Sequence, residues 1–157
     1  MALAALLLVA CGSSAAPVQT SVSSRGLPLA DATFHRGTST LLHLTVEVAA
    51  TQAAQEKGLM GIRHLAADQG MAFTFATAGD VAFWMKDTLI PLDIAFVDAA
   101  GRVVDVQRMV PCTADPCTIY HAAGPFTVAV ETGAGVLTGA GVHAGDTMRL
   151  TRRGRTG

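Results

Sequence analysis

From Leu41 onward, apolar and polar residues alternate in short runs. In "LLHLTVEVA", residues 41–49, Leu42, Leu44, Val46 and Val48 interleave with His43, Thr45 and Glu47. That period of two marks a half-buried strand. Thr51 then stands as the N-cap of a short helix through "QAAQEK", with Gly58 as its stop. "MAFTFA" and "VAFWM" read as two aromatic-bearing strands joined by a turn at Gly79–Asp80. "LDIAFVD" and "RVVDVQRMV" flank Asp98-Ala99-Ala100-Gly101 and predict a hairpin. "FTVAVE" and "DTMRLT" supply further strands. Six or seven short strands with one or two small helices predict a mainly β domain, α+β at the margin. Its expected form is a compact antiparallel β-sandwich or barrel.

The two ends follow other patterns. Residues 1–10 are apolar from Ala2 to Ala10, too short a run for a spanning helix, which needs ~20 residues, and suited to the apolar region of a secretory signal. Leu8-Val9-Ala10-Cys11 resembles a bacterial lipobox, so Cys11 is the expected lipidation site, with acyl chains holding the protein to a membrane. The leader carries no Lys or Arg, which an upstream start would supply. Residues 11–30, beginning with "CGSSAAPVQTSVSSRG", are rich in Ser, Gly and Ala and read as a flexible linker. Residues 31–151 form the expected single domain, and 152–157 a basic tail. The predicted location is the cell envelope, facing the periplasm or the exterior.

Charge and cysteine count narrow the chemistry. A net charge of -1 argues against nucleic acid as a partner, which would demand a basic surface. With Cys11 assigned to lipid, Cys112 and Cys117 in "PCTADPCTIY" form an even pair, which in an oxidising compartment predicts a disulfide. Four residues between the thiols do not match the CxxC spacing of a redox or metal site. Gly133, Gly135 and Gly139 follow a strand in "FTVAVETGAGVLTGAG". A dinucleotide fingerprint needs a full βαβ unit and an acidic residue ~20 positions on, which the remaining chain cannot supply. No cofactor is expected.

Three blocks, "EKGLMGIRHLAADQGMAFTF", "FWMKDTLIPLDIAFVDAAGRVV" and "VETGAGVLTGAGVHAGD", together resemble the bacterial and archaeal domain-of-unknown-function family 192 (UPF0127), over roughly Leu41 to Leu150. The resemblance implies a compact β-rich fold, often exported, with no established activity. Family members typically carry Asn where this chain has Asp87.

The candidate chemistry centres on "FWMKDTLIPLD". Trp84 is the only Trp of the chain. If Phe83 and Met85 turn inward, alternation sends Trp84 and Lys86 outward as a platform for a small ligand. Asp87 and Thr88 open a turn, Pro91 restricts the following strand to an edge or its first position, and Asp93 can bond turn amides. The expected ligand site is Trp84, Met85, Lys86, Asp87, Thr88 and Asp93. The plainer alternative makes Trp84 a core anchor and Lys86–Asp93 a local ion pair. For hydrolysis, two of Asp87, Asp93, Glu131 and Asp146 would have to pair at ~5–9.5 Å. Nothing in their spacing joins any two, so no catalytic residue is assigned. Met60, Met71 and Met85, with His64 and His121, are ligand types that copper accepts. They do not cluster in sequence, and Met is a common core filler, so no metal site is assigned. The chain thus reads as a monomeric, membrane-anchored domain binding a small molecule or envelope component without turnover. A carboxylate-dependent hydrolase of envelope carbohydrate and a copper-handling protein are the alternatives.

Overall fold

Side chains at every second position of a strand share a face, so the alternating runs decide which side of the sheet is buried. A computed structural model describes residues 21–154. The apolar leader, Cys11, the linker up to residue 20 and the tail from residue 155 lie outside the described residues. The strands are β1 (Leu29–Arg36), β2 (Ser39–Ala49), β3 (Gln69–Gly79), β4 (Phe83–Trp84), β5 (Leu92–Val97), β6 (Val103–Met109), β7 (Ile119–Tyr120), β8 (Phe126–Gly133) and β9 (Thr147–Arg152). Helix α1 (Gln52–Lys57) follows β2, and the single turn α2 (Val136–Gly139) follows β8. Seven strands form one sheet in the order β6-β5-β8-β3-β2-β1-β9, while β4 and β7 pair as a separate ribbon. The sheet curls until its outer strands meet at one end. There Arg102 bridges Thr147, and Val103 N–H donates to the Asp146 carbonyl at 2.8 Å.

Two apolar clusters lie on opposite faces of this sheet. Phe34, Leu44, Val46, Ala72, Ala95, Val97 and Val130 fill one. On the other face Met71, Phe73, Ile94, Phe96 and Ala129 are covered by Leu59, Phe83 and Met85. With both faces covered, all six residues of β5 are buried. Phe83 meets Phe73 edge-to-face at 5.2 Å and Phe96 at 5.6 Å. Such pairs add about 0.5–1.5 kcal/mol beyond the area they bury, and they fix the segment after β3 against the sheet.

Local signals translate directly. Leu44 and Val46 are buried, and Leu42 and Val48 pack beside them. Thr51 Oγ1 accepts from the Ala54 N–H at 3.3 Å, and Gly58 ends α1 at φ 44°. In the β5–β6 hairpin, Asp98 Oδ1 accepts from the N–H groups of Ala100 and Arg102 at 2.9 and 2.8 Å. The Cys112–Cys117 disulfide is present, with Cα atoms 5.4 Å apart.

Other elements differ from expectation. β2 and β3 pair in parallel through the α1 crossover, from Thr45 opposite Gln69 to Ala49 opposite Phe73, inside an otherwise antiparallel sheet. The expected hairpin of "MAFTFA" with "VAFWM" does not form. β2 and β8 already occupy both edges of β3, so β4 pairs instead with β7, Phe83 opposite Tyr120 and Trp84 opposite Ile119. The described end of the linker is not free either. Val22 bridges Pro28, and β1 begins at Leu29, because backbone hydrogen bonds hold this stretch where its side chains offer little to bury.

Candidate functional site

Between α1, the outer end of β3 and the β4 segment lies a cleft of about 240 Å³. Its lining includes Gln55 and Leu59 beside α1, Phe73 and Phe75 from β3, Phe83, Trp84 and Thr88, with Glu131 of β8. Gln55 ties the helix down, its Nε2 donating to the Thr74 carbonyl at 2.9 Å. Trp84 is 52% exposed, while Phe83 and Met85 on either side are buried. The alternation expected of this segment therefore holds, and Trp84 is a wall open to solvent, not a core anchor.

Glu131 is the unusual group. It sits on the central strand β8, opposite Met71 of β3 and Ile94 of β5, and keeps only 5% exposure. Burial pushes its carboxyl up to about 8, with no hydrogen bond or charge offsetting that cost. An unpaired buried carboxylate is costly, so the group takes up a proton instead. At neutral pH it is a carboxylic acid facing the cleft.

The residues expected to surround a ligand are only partly brought together. Trp84 and Thr88 line the cleft. Met85 is sealed in the core. Lys86 does not pair with Asp93: its Nζ donates to both oxygens of Asp115, at 3.1 and 3.0 Å, on the disulfide loop. That bond raises the ammonium above its ordinary value. Asp87 is exposed in the turn with φ 54°, and its carbonyl accepts from the Gly61 N–H at 2.9 Å.

Asp93 lies on the other face of the sheet. It pairs with Thr132 of β8, one position from the Ile94–Glu131 pair, so the pleat sends Asp93 and Glu131 in opposite directions. There it accepts from Arg108 Nε, from the N–H groups of Gly135 and Thr138 at 2.9 and 3.2 Å, and from the Thr138 hydroxyl. It clamps the α2 turn, the amide-bonding role its place after Pro91 allowed. Asp146 is likewise occupied by Arg36 and the His143 N–H, and the bond from Arg36 holds its carboxyl below the usual range. The four candidate carboxylates therefore do not converge.

No shared metal face emerges either. Met71 and Met85 are fully buried in the core, and Met60 is half-buried at the cleft. His64 lines a second cleft, and His121 faces Asp80 at 3.4 Å. Among the described residues, one cluster of Cys, His and carboxylate donors lies close enough to share an ion, Cys112, Asp115 and Cys117. Its two sulfurs are bonded to each other.

Fold and site together define a small curled β-sheet domain with an aromatic-walled cleft over one buried acid. DUF192, described as "Uncharacterized ACR, COG1430", matches residues 33–150. The chain belongs to this family. It is similar to a protein of unknown function from Novosphingobium aromaticivorans DSM 12444, at 30% identity and a TM-score of 0.76 over 88% of this chain and 99% of that one. It is also similar to a protein from Sinorhizobium meliloti 1021 named as a candidate transcription regulator, at 30% identity and a TM-score of 0.72, covering 79% and 95%. No curated protein matches the chain.

Proposed function

We propose that this is a lipid-anchored envelope domain that binds a small molecule in the Trp84–Glu131 cleft and does not turn it over. One observation carries the reading: a buried carboxyl that none of the described residues bonds lies under a cleft walled by a half-exposed Trp. An apolar pocket with a few convergent polar groups is the usual form of a ligand site. Of the four carboxylates a hydrolytic reading draws on, Glu131 alone lines the cleft, since Asp93 and Asp146 are committed to loop clamps and Asp87 is off the lining. The regulator naming of the Sinorhizobium protein finds no support in this chain. Its charge is -1, and the longer of its two described helices has six residues, short for reading a DNA groove. The anchor rests on the lipobox-like Leu8–Cys11.

The test is native mass spectrometry on protein exported to a periplasm, where Cys112 and Cys117 oxidise. A mass excess in the range of a small metabolite, lost in Trp84→Ala and in Glu131→Gln, is the expected result. An excess retained in both variants would place the ligand elsewhere. Labelling with a radioactive fatty acid, lost in Cys11→Ser, checks the anchor.

A further inference from the structure

The polar groups around the cleft differ in what bonding capacity they have left. The amide and hydroxyl donors are spent within the protein. Gln52 Nε2 donates to Glu56 Oε1 at 2.8 Å, Gln55 Nε2 to the Thr74 carbonyl, and the Thr88 hydroxyl to the Lys86 carbonyl at 3.4 Å. Most acceptors are not spent. Among the described residues none bonds the Glu131 carboxyl, and the side-chain oxygens of Gln52 and Gln55 are open to a donor. Apart from the Trp84 indole N–H and the Lys57 ammonium, such a lining offers a ligand mainly acceptors. Phe73, Phe83 and Trp84 add ring faces, which attract positive charge when water is excluded.

We propose that the cleft takes a protonated organic amine, its ammonium bonded to the Glu131 carboxylate and its apolar body against Phe73, Phe83 and Trp84. The inference rests on the small-molecule reading above and names its ligand class. Lys57, exposed at the end of α1, is the one cation on the lining, so once Glu131 ionises a simple monoamine meets a net acidic pocket with Glu56 and Glu131.

Docking has a proton balance. Empty, Glu131 holds its proton up to about pH 8. Below that pH an arriving ammonium makes the carboxyl ionise, and close to one proton leaves to solvent for each amine bound. Few other groups contribute to this balance. Met71 and Ile94 flank Glu131 in the sheet. From α1 come Glu56 and Lys57, and from the β4 segment the uncharged Thr88. Lys86 is held by Asp115, Asp80 faces His121, and Asp87 is not on the lining.

Isothermal titration with phenethylamine, and with 2-phenylethanol as its uncharged match, tests this at about pH 6, 7 and 8 in buffers of different ionisation heat. The expected result is amine affinity rising about tenfold from pH 6 to 7, by less thereafter, with close to one proton released at pH 6 and 7 and about half a proton at pH 8. The alcohol should bind at least tenfold more weakly at pH 8 and show no pH dependence. Glu131→Gln, which keeps size and removes ionisation, should erase the amine's advantage while circular dichroism shows the fold retained. Alcohol binding as tight as the amine, without proton release, would overturn the amine class and leave the small-molecule cleft standing. Binding of neither probe at millimolar concentration would also overturn it, and the mass measurement above then judges the cleft separately.

Discussion

At Glu131 burial works directly against charge. Its carboxyl ionises near 4.5 in an unfolded chain and near 8 in the fold. Between those values the folded protein holds the extra proton, so stability falls as pH rises, by about 1.4 kcal/mol per unit. Below the interval the cost is absent, and above about 8 it is constant. Glu131→Gln should therefore melt above the parent protein at pH 8, with the gap closing toward pH 5. Thermal denaturation followed by circular dichroism reads this, and a gap independent of pH would refute it. Asp87 is a residue of a different kind. At φ 54° most L-residues are strained by roughly 1–2 kcal/mol, and Asn and Asp least. The Asn typical of the family and the Asp of this chain meet the same backbone requirement, so the difference between them need not signal different chemistry.

Among the elements, β3 and β8 approach each other closely at Gly70. A Cβ on Gly70 would stand 2.5 Å from the Glu131 backbone carbonyl, on a ladder paired from both sides. Gly70→Ala should cost about 1–3 kcal/mol and shift Glu131 with it. Urea denaturation measures the loss, and an unchanged midpoint would show that the strands can part. Features set by near neighbours in the chain were legible in the sequence: the alternation of β2, the Thr51 cap and the Asp98 turn. β1 was not, because Ala30 and Ala32 are buried yet carry little hydropathy to announce a strand. The partner of β4 was not legible either, since it depends on which edges of β3 are already filled. Glu131 stood out only as one carboxylate among several. Its value comes from the register of β8 between β3 and β5, which turns it to the cleft and turns Asp93 away. The Lys86–Asp115 pair likewise needs the disulfide loop to bring the two together.

For the molecule as a whole, the loop from Cys112 to Cys117 matters through what it holds. It leads into β7, the strand paired with β4, where Ile119 lies opposite Trp84. Closing so short a loop contributes about 2 kcal/mol by chain entropy. Reduction should lower the unfolding midpoint by a corresponding amount and change the emission of Trp84, the single Trp. Fluorescence with and without dithiothreitol reads both, and unchanged emission would mean that β4 keeps its place without the bridge. A last consequence follows from the edge where β1 lies beside β9. Ser21 N–H donates to the Arg153 carbonyl at 3.0 Å, and Arg153 N–H to the Leu29 carbonyl at 3.0 Å. Entry and exit of the described chain are thus adjacent, as they are in domains that tolerate insertion into a host. This fold could be spliced into a surface loop of an unrelated protein as a self-contained cassette, its cleft carried along and its host's backbone hardly spread.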